Sequence, residues 1–308
     1  MSAFTPNLFL QSSPVVELLY SIRQRTTYLR KDARIVFVCG ANSTENLISN
    51  RETFLDYADK HFPEFRFFKA EEVFEAIESS TENDLLSIED DLGKFSDCII
   101  LVCESESAFA ELGAFALSQK LAKQLLIIND QRHAASHSFI NLGPIKKSDR
   151  VSNFKPAIFT DFSAILRSAS EIKERLHRIP HKKRQAVEIS EVQFNRIERK
   201  LRLLLIADLI NLLGPISLGE LVAFTKEFST SNSIHLSTEL ALGIGLGLFR
   251  EFRDKDTHRF FFHSTNETTH LFDYSGINRA SIRSSIYRIY RQRHRVRLEN
   301  LQREVFQK

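Results

Sequence analysis

The sequence predicts an α/β protein: an N-terminal doubly wound parallel sheet of Rossmann type, followed by a mostly α C-terminal domain of winged-helix-like layout. Three observations predict it. Between residues 34 and 160, short β-branched runs alternate with amphipathic segments, as in a parallel sheet covered by helices on both faces. A basic, proline-containing stretch over 178–184 (RIPHKKR) interrupts this pattern and reads as a linker. Beyond it, helix signals are followed by a hairpin signal, the layout of a winged helix-turn-helix. The expected domains are residues 1–178 and 185–308, because 308 residues suit two ordinary domains better than one.

Taken in order, RIVFVC over Arg34–Cys39 is a buried strand that runs into a loop at Gly40. Ser43, Thr44 and Glu45 offer capping groups for a helix over 45–61. Phe65–Phe68 is a second short strand, and 71–78 and 85–95 carry apolar residues at helical spacing. DCIILVC (97–103) is the clearest strand, with Asp97 pairing locally at its start. A helix over 107–121, a strand over 124–129 and a last short strand at 157–160 follow. After the linker, 187–213 reads as one long amphipathic helix, and 217–228 and 238–248 as two more. Residues 248–253 and 258–263 form the hairpin, and 278–308 a basic helix.

The bulk composition, 43% hydrophobic and 26% charged, belongs to a soluble chain able to bury real cores. The N-terminus lacks a basic start, a long apolar run and a small-residue cleavage site, so no secretory signal is expected. The most apolar stretch, 203–222, is broken by Asp208, Asn211, Pro215 and Glu220 and should not span a membrane. Cys39, Cys98 and Cys103 sit in or at the end of apolar runs, which predicts buried reduced thiols in a cytoplasmic protein. No Cys/His spacing suggests a metal site. The charge is uneven: residues 1–160 hold 17 Lys and Arg against 22 Asp and Glu, whereas 161–308 hold 25 against 17. Such asymmetry assigns different partners to the two halves.

Ligands of an open parallel sheet sit beyond the carboxyl ends of its strands. Three loops lie there: Cys39-Gly40-Ala41-Asn42, Glu104-Ser105-Glu106-Ser107, and Asn129 onward. The middle loop enters a helix carrying Glu111, Leu112 and Gly113. A carboxylate near a helix start is held ionised by the dipole and could attack a sugar C1 with oxocarbenium character. A cap is the simpler role for the same residue. Other residues carry similar pairs of readings. Phe109 and Phe115 suit the core, and His133 and His137 suit an exposed loop. Asn141 suits either a ribose hydroxyl or the turn before Gly143-Pro144.

FVCGAN, together with LLSIEDDLGKFSDCIILVCESESAFAELGAFALSQK and the later SFINLGPI, resembles the nucleoside deoxyribosyltransferase-like superfamily. Within it, these runs resemble the effectors of bacterial retrons over residues 33–146, and more loosely over the C-terminal half. The resemblance implies that Glu111, in E-L-G, is the nucleophile and that Glu89 assists proton transfer to the leaving base. It implies that Gly40, Ala41, Asn42 and Ser105 contact the sugar or its 5′ substituent. Phe37 stands where many transferases have a tyrosine that holds the nucleophile, and Glu89 where they have Asp; both departures favour hydrolysis over transfer between bases. The resemblance further implies an anti-phage toxin held by a reverse transcriptase and its RNA-linked single-stranded DNA. NAD is the implied substrate, with no separate cofactor. Eight arginines against two late glutamates in the tail, Arg288, Arg291 and Arg295 among them, point to an anionic partner. Two other classes stay open: a nucleotide-sensing DNA-binding regulator, and a structural subunit that assembles with a reverse transcriptase.

Overall fold

The computed structural model describes residues 5–30, 33–44, 47–71, 93, 95–180, 184–189, 199–228, 236–253, 260–264 and 270–306. The predicted helices over 71–78 and 85–95, and Glu89 with them, lie almost entirely outside the described residues. Contacts divide the chain into residues 33–181 and a second unit made of 1–32 together with 182–308. The division at 181 falls in the predicted linker. The first 32 residues, assigned by sequence to the N-terminal domain, belong instead with the C-terminal part. Strand pairing explains this correction. After helices α1 (Pro6–Leu10) and α2 (Ser13–Gln24), strand β1 (Thr27–Leu29) is the middle of an antiparallel sheet whose outer strands are Gln185–Val187 and Phe272–Tyr274.

The sheet unit runs β2 (Arg34–Cys39), α3 (Asn50–His61), β3 (Phe65–Phe68), β4 (Cys98–Val102), α4 (Glu106–Leu117), α5 (Gln119–Gln124), β5 (Leu125–Asp130), α6 (Lys146–Val151), β6 (Ile158–Thr160) and α7 (Ala169–Leu176). The strands pair in parallel in the order β3-β2-β4-β5-β6. Val36, Val38, Cys98, Ile100, Leu126 and Ile128 share one core with Phe54, Leu55 and Ala58 of α3 and Ile172 and Leu176 of α7. The alternate residues Ile35, Phe37, Ile99 and Leu101 are equally buried, and α4 and α5, which stand outside that core, pack on β4. Burial on both faces is why these strands read as unbroken apolar runs. Because the chain passes from β2 out to β3 and returns on the other side of β2 as β4, the order reverses between β2 and β4. The connections after these two strands therefore leave to opposite sides at the carboxyl edge, the place where ligands of such sheets sit.

Local capping moved two predicted helix limits. α3 starts at Asn50 because Ser49 is the residue whose side chain accepts the Glu52 N–H (3.2 Å), while Ser43 instead accepts the Ser49 N–H (3.0 Å). The helix expected over 107–121 breaks at Ser118, which closes α4 and caps α5 by accepting the Leu121 N–H.

The second unit continues with β7 (Gln185–Val187), α8 (Arg199–Leu213), β8 (Ile216–Ser217), α9 (Leu218–Lys226), α10 (Ser237–Gly245), β9 (Phe249–Arg253), β10 (Phe260–Ser264), β11 (Phe272–Tyr274), α11 (Arg279–Arg293) and α12 (Arg295–Phe306). The long helix expected over 187–213 thus opens as a strand, and its described helical part begins at Arg199. β8, β10 and β9 form an antiparallel sheet in that order. The basic tail is two helices, broken at His294 where the backbone leaves the helical region (φ −150°, ψ 48°). The polar residues that interrupt the apolar run over 203–222 are buried anchors. Asp208 accepts the Leu271 N–H (2.8 Å) and the Tyr274 hydroxyl (2.9 Å) and pairs with Arg279 (2.6 Å). Glu220 pairs with Arg297 at 2.9 Å, both nearly inaccessible, and Arg297 lies over the rings of Phe261 and Tyr290. No helix among the described residues is long and apolar enough to cross a membrane.

Candidate active site

The carboxyl edge of the sheet is organised by Glu104, the second residue past β4. Its carboxylate accepts the N–H of Ala41 (3.3 Å) from the loop after β2 and those of Asn50 (2.8 Å) and Arg51 (3.0 Å) at the start of α3. One side chain therefore ties β4, the first loop and α3 together, and fills the amide groups at the start of α3 with the protein's own anion. Gly40 is required there by close approach: a Cβ would stand 3.0 Å from Arg51 Cβ and 3.2 Å from Glu104 Oε1. Asn42 accepts a hydrogen bond from the buried Arg51, which also pairs with Glu71 (3.0 Å) and Glu52 (3.1 Å). From sequence Glu104 is only one member of the loop after this strand, with no role of its own, and Arg51 is not singled out. The available signal was position, a carboxylate directly after the most apolar strand and an arginine set among acids in the first turn of a helix.

α4 begins at Glu106 with Ser105 as its cap; the Ser105 hydroxyl accepts the Ala108 N–H (3.3 Å) and lies 3.0 Å from the Ser107 hydroxyl. Glu111 is the sixth residue of this helix, so it stands in the second turn and not the first. The helix dipole fades within the first turn and contributes little to its ionisation there. One carboxylate oxygen of Glu111, Oε2, is shut off from solvent. The charges of Glu111 and Glu104 both bear on Cys103: burial first, then these two carboxylates, push its thiol up to about 12. A thiol held neutral to that degree is not a nucleophile. The cysteine at this edge is thus no candidate nucleophile.

The other predicted residues fall as follows. Phe37 has no exposed surface and stacks on Phe68, with ring centroids 5.0 Å apart, so it packs within the sheet and does not line a cleft. Asn141 spends both amide protons on its own loop, donating to the carbonyls of His133 (2.7 Å) and Ser136 (2.8 Å). It borders a cavity of about 430 Å3 whose lining, His137, Ile145, Asp149 and Phe159 among others, comes from residues 134–159 and not from the 104–111 segment. The turn that starts at Asn141 nonetheless packs against α4. His133 and His137 are exposed, as read from sequence. Among the described residues, no three His, Cys, Asp or Glu side chains gather as metal ligands would. In the second unit, Arg288 and Arg291 are exposed on α11, and Arg295 pairs with Glu299 at 2.9 Å on α12.

Residues 47–251 match the family described as STM3845 retron effector protein. The chain is 35% identical over 229 residues, 69% of its length and 72% of the relative's, to the Escherichia coli retron Ec73 protein. It is 31% identical over 140 residues, 45% of its length and 42% of the relative's, to the retron Ec86 protein of the same species. Both relatives carry, provisionally, the name ribosyltransferase/DNA-binding protein. With a family match over most of the chain and a relative at this identity and coverage, the protein belongs to the retron effector family.

Proposed function

We propose that this effector is an anti-phage toxin that cleaves the N-glycosidic bond of a nucleotide, NAD in particular, with Glu111 as nucleophile. The observation that carries the reading is the position of Glu111. It lies on the helix that leaves the middle strand of the sheet, at the edge where strand order reverses, with one carboxylate oxygen buried. The strand order and the helix packing support a doubly wound, deoxyribosyltransferase-like unit. The relatives' name supports glycosyl transfer as the chemical class.

In this reaction an oxygen of Glu111 bonds to the anomeric carbon as the carbon–nitrogen bond breaks, and the electron pair leaves on the base. Water then attacks the glycosyl ester, which releases the sugar and restores the carboxylate. A pyridinium base such as nicotinamide departs neutral and takes no proton. A neutral purine or pyrimidine departs as an anion and needs one, which is the role assigned to Glu89. Gly40, Ala41, Asn42 and Ser105 border the sugar, with the first loop held by Glu104 and Arg51. Phe37 supports that edge from within the sheet, and Asn141 braces the loop beside α4.

The second unit supports a winged-helix reading, since α8, β8, α9, α10, β9 and β10 follow one another and their sheet order is β8-β10-β9. The partner of the whole effector is then the reverse transcriptase of the retron with its RNA-linked single-stranded DNA. The test is to incubate purified protein with NAD, NMN and deoxynucleosides and identify the released base by chromatography. Nicotinamide release from NAD, unaffected by Glu89→Gln, is the expected result. Release of a purine or pyrimidine alone would replace NAD by a nucleoside, and no release of any base would remove the activity.

A further inference from the structure

The basic tail holds seven arginines between residues 274 and 298 (Arg279, Arg283, Arg288, Arg291, Arg293, Arg295 and Arg297) and no Asp or Glu in that span. The structure sorts them by task. Arg279 and Arg297 are spent on the buried acids Asp208 and Glu220. Arg295 is paired with Glu299 on the surface, and Arg283 lies over the Tyr287 ring. Arg288, Arg291 and Arg293 are exposed, with no carboxylate partner among the described residues. Ser281, Ser284, Arg288 and Arg291 recur every three or four residues and form one solvent face of α11, opposite the buried Ile282, Ile286 and Tyr290. Arg293, also exposed, ends the helix on the side of the buried stripe and stands apart from that face. None of the exposed large apolar side chains of the protein lies within α11.

Helix α10 presents a contrasting surface. It stands where a winged helix would carry its base-reading helix, yet its sequence, STELALGIG, contains no Arg, Lys, His, Asn or Gln. Its one charged side chain, Glu239, is buried and bound by Arg202. The bidentate groups that distinguish base pairs in the major groove are therefore absent from α10.

We infer that the second unit holds nucleic acid by its phosphate backbone alone, through the Ser281–Ser284–Arg288–Arg291 face of α11, and not through α10. Unpaired arginines interleaved with hydroxyls match successive phosphates, which accept from both groups. A protein partner would instead call for an apolar or aromatic anchor in the middle of the face, and α11 exposes none. Binding of this kind is independent of base sequence and of the glycosidase reaction.

The experiment titrates the full-length protein into labelled DNA duplexes of two unrelated sequences over a range of salt concentrations. Equal affinity for both duplexes is expected, falling steeply with salt as counterions are released. The double variant Arg288→Ser, Arg291→Ser should weaken binding to both duplexes alike. It should also flatten the log–log salt slope by about 0.9 for each arginine that meets a phosphate. Both side chains are exposed, so the melting temperature should not move, and Thr238→Ala on α10 should leave the affinity unchanged. A strong preference of the wild-type protein for one sequence, undiminished binding by the double variant, or loss of binding on Thr238→Ala would each overturn the inference. Tighter binding to polyglutamate than to DNA of equal charge would overturn it in favour of an acidic protein partner.

Discussion

The second unit ties its elements together through buried carboxylates closed by arginine, whereas the carboxyl edge of the sheet unit is tied by Glu104, closed by backbone amides. In the second unit Asp208, Glu220 and Glu239 are each buried against an arginine: Arg279, Arg297 and Arg202 respectively. Arginine cancels the charge as well as filling the lone pairs, so these acids hold elements together and project little field. In the sheet unit Glu104 is satisfied by three backbone N–H groups, which carry no net charge. Its negative field, with that of Glu111, reaches Cys103 and helps push that thiol up to about 12. The difference is one of charge: a buried acid closed by arginine projects little field, whereas one held among amides has no counter-charge to offset it.

The sharpest way to break the comparison is Glu111→Gln. The amide is isosteric and cannot serve as an anionic nucleophile, so base release should fall by several orders of magnitude with an unchanged melting temperature. Retained turnover would take Glu111 out of its role. Next in size is Arg297→Ala, which leaves Glu220 buried without its counter-charge and removes the contact with the Phe261 and Tyr290 rings. A destabilisation of about 3–5 kcal/mol, read by denaturant unfolding, is expected for breaking one partner of such a pair. A loss below about 1 kcal/mol would mean that the tail is not anchored there.

A smaller effect, about 1–3 kcal/mol, is expected for Glu104→Gln, which keeps one acceptor oxygen but turns an NH2 group towards backbone donors. Removing its charge should also lower the Cys103 pKa, because Glu104 is one of the groups that raise it. Thiolate absorbance against pH reads this directly, and an unmoved titration would show that the field at Cys103 comes from elsewhere. The smallest effect is on alkaline stability. The Cys103 pKa is raised on folding from the ordinary 9.0 to about 12, so the folded state retains a proton that the unfolded chain gives up. The stability this contributes is fully present below pH 9.0 and is lost progressively as pH rises to about 12. Cys103→Ala should therefore unfold less steeply with pH over that window than the wild-type protein, and equal slopes would contradict the assignment.

Much of the sheet unit was legible because each signal was local. Residues 35–39, 98–102 and 125–128 are apolar runs whose burial on both faces is written in their composition, and Glu111 could be placed on the helix after β4 by order alone. The limits of α3 and α4 were misplaced because several serines compete as caps, and only three-dimensional geometry decides that Ser49 and Ser118 win. Residues 6–29 were assigned to the wrong domain for a related reason. The short strand Thr27–Leu29 has no pattern strong enough to name its partners, which lie about 160 and 245 residues away in the chain.

The sequence by itself determined that this is an α/β chain with a basic C-terminal part, since periodicity and charge count are properties of neighbours along the chain. It also carried the retron effector resemblance, because that lies in contiguous runs such as CIILVCESESAFAELGAF. Only the tertiary structure decided what each charge is for. Arg279 and Arg297 look like Arg288 and Arg291 in the sequence, yet two neutralise buried acids and two face solvent. Glu104 looks like any loop acid until its three amide donors converge from two other segments. The energy of a charge depends on what surrounds it within a few ångströms, and those surroundings are assembled from parts of the chain that only folding brings together.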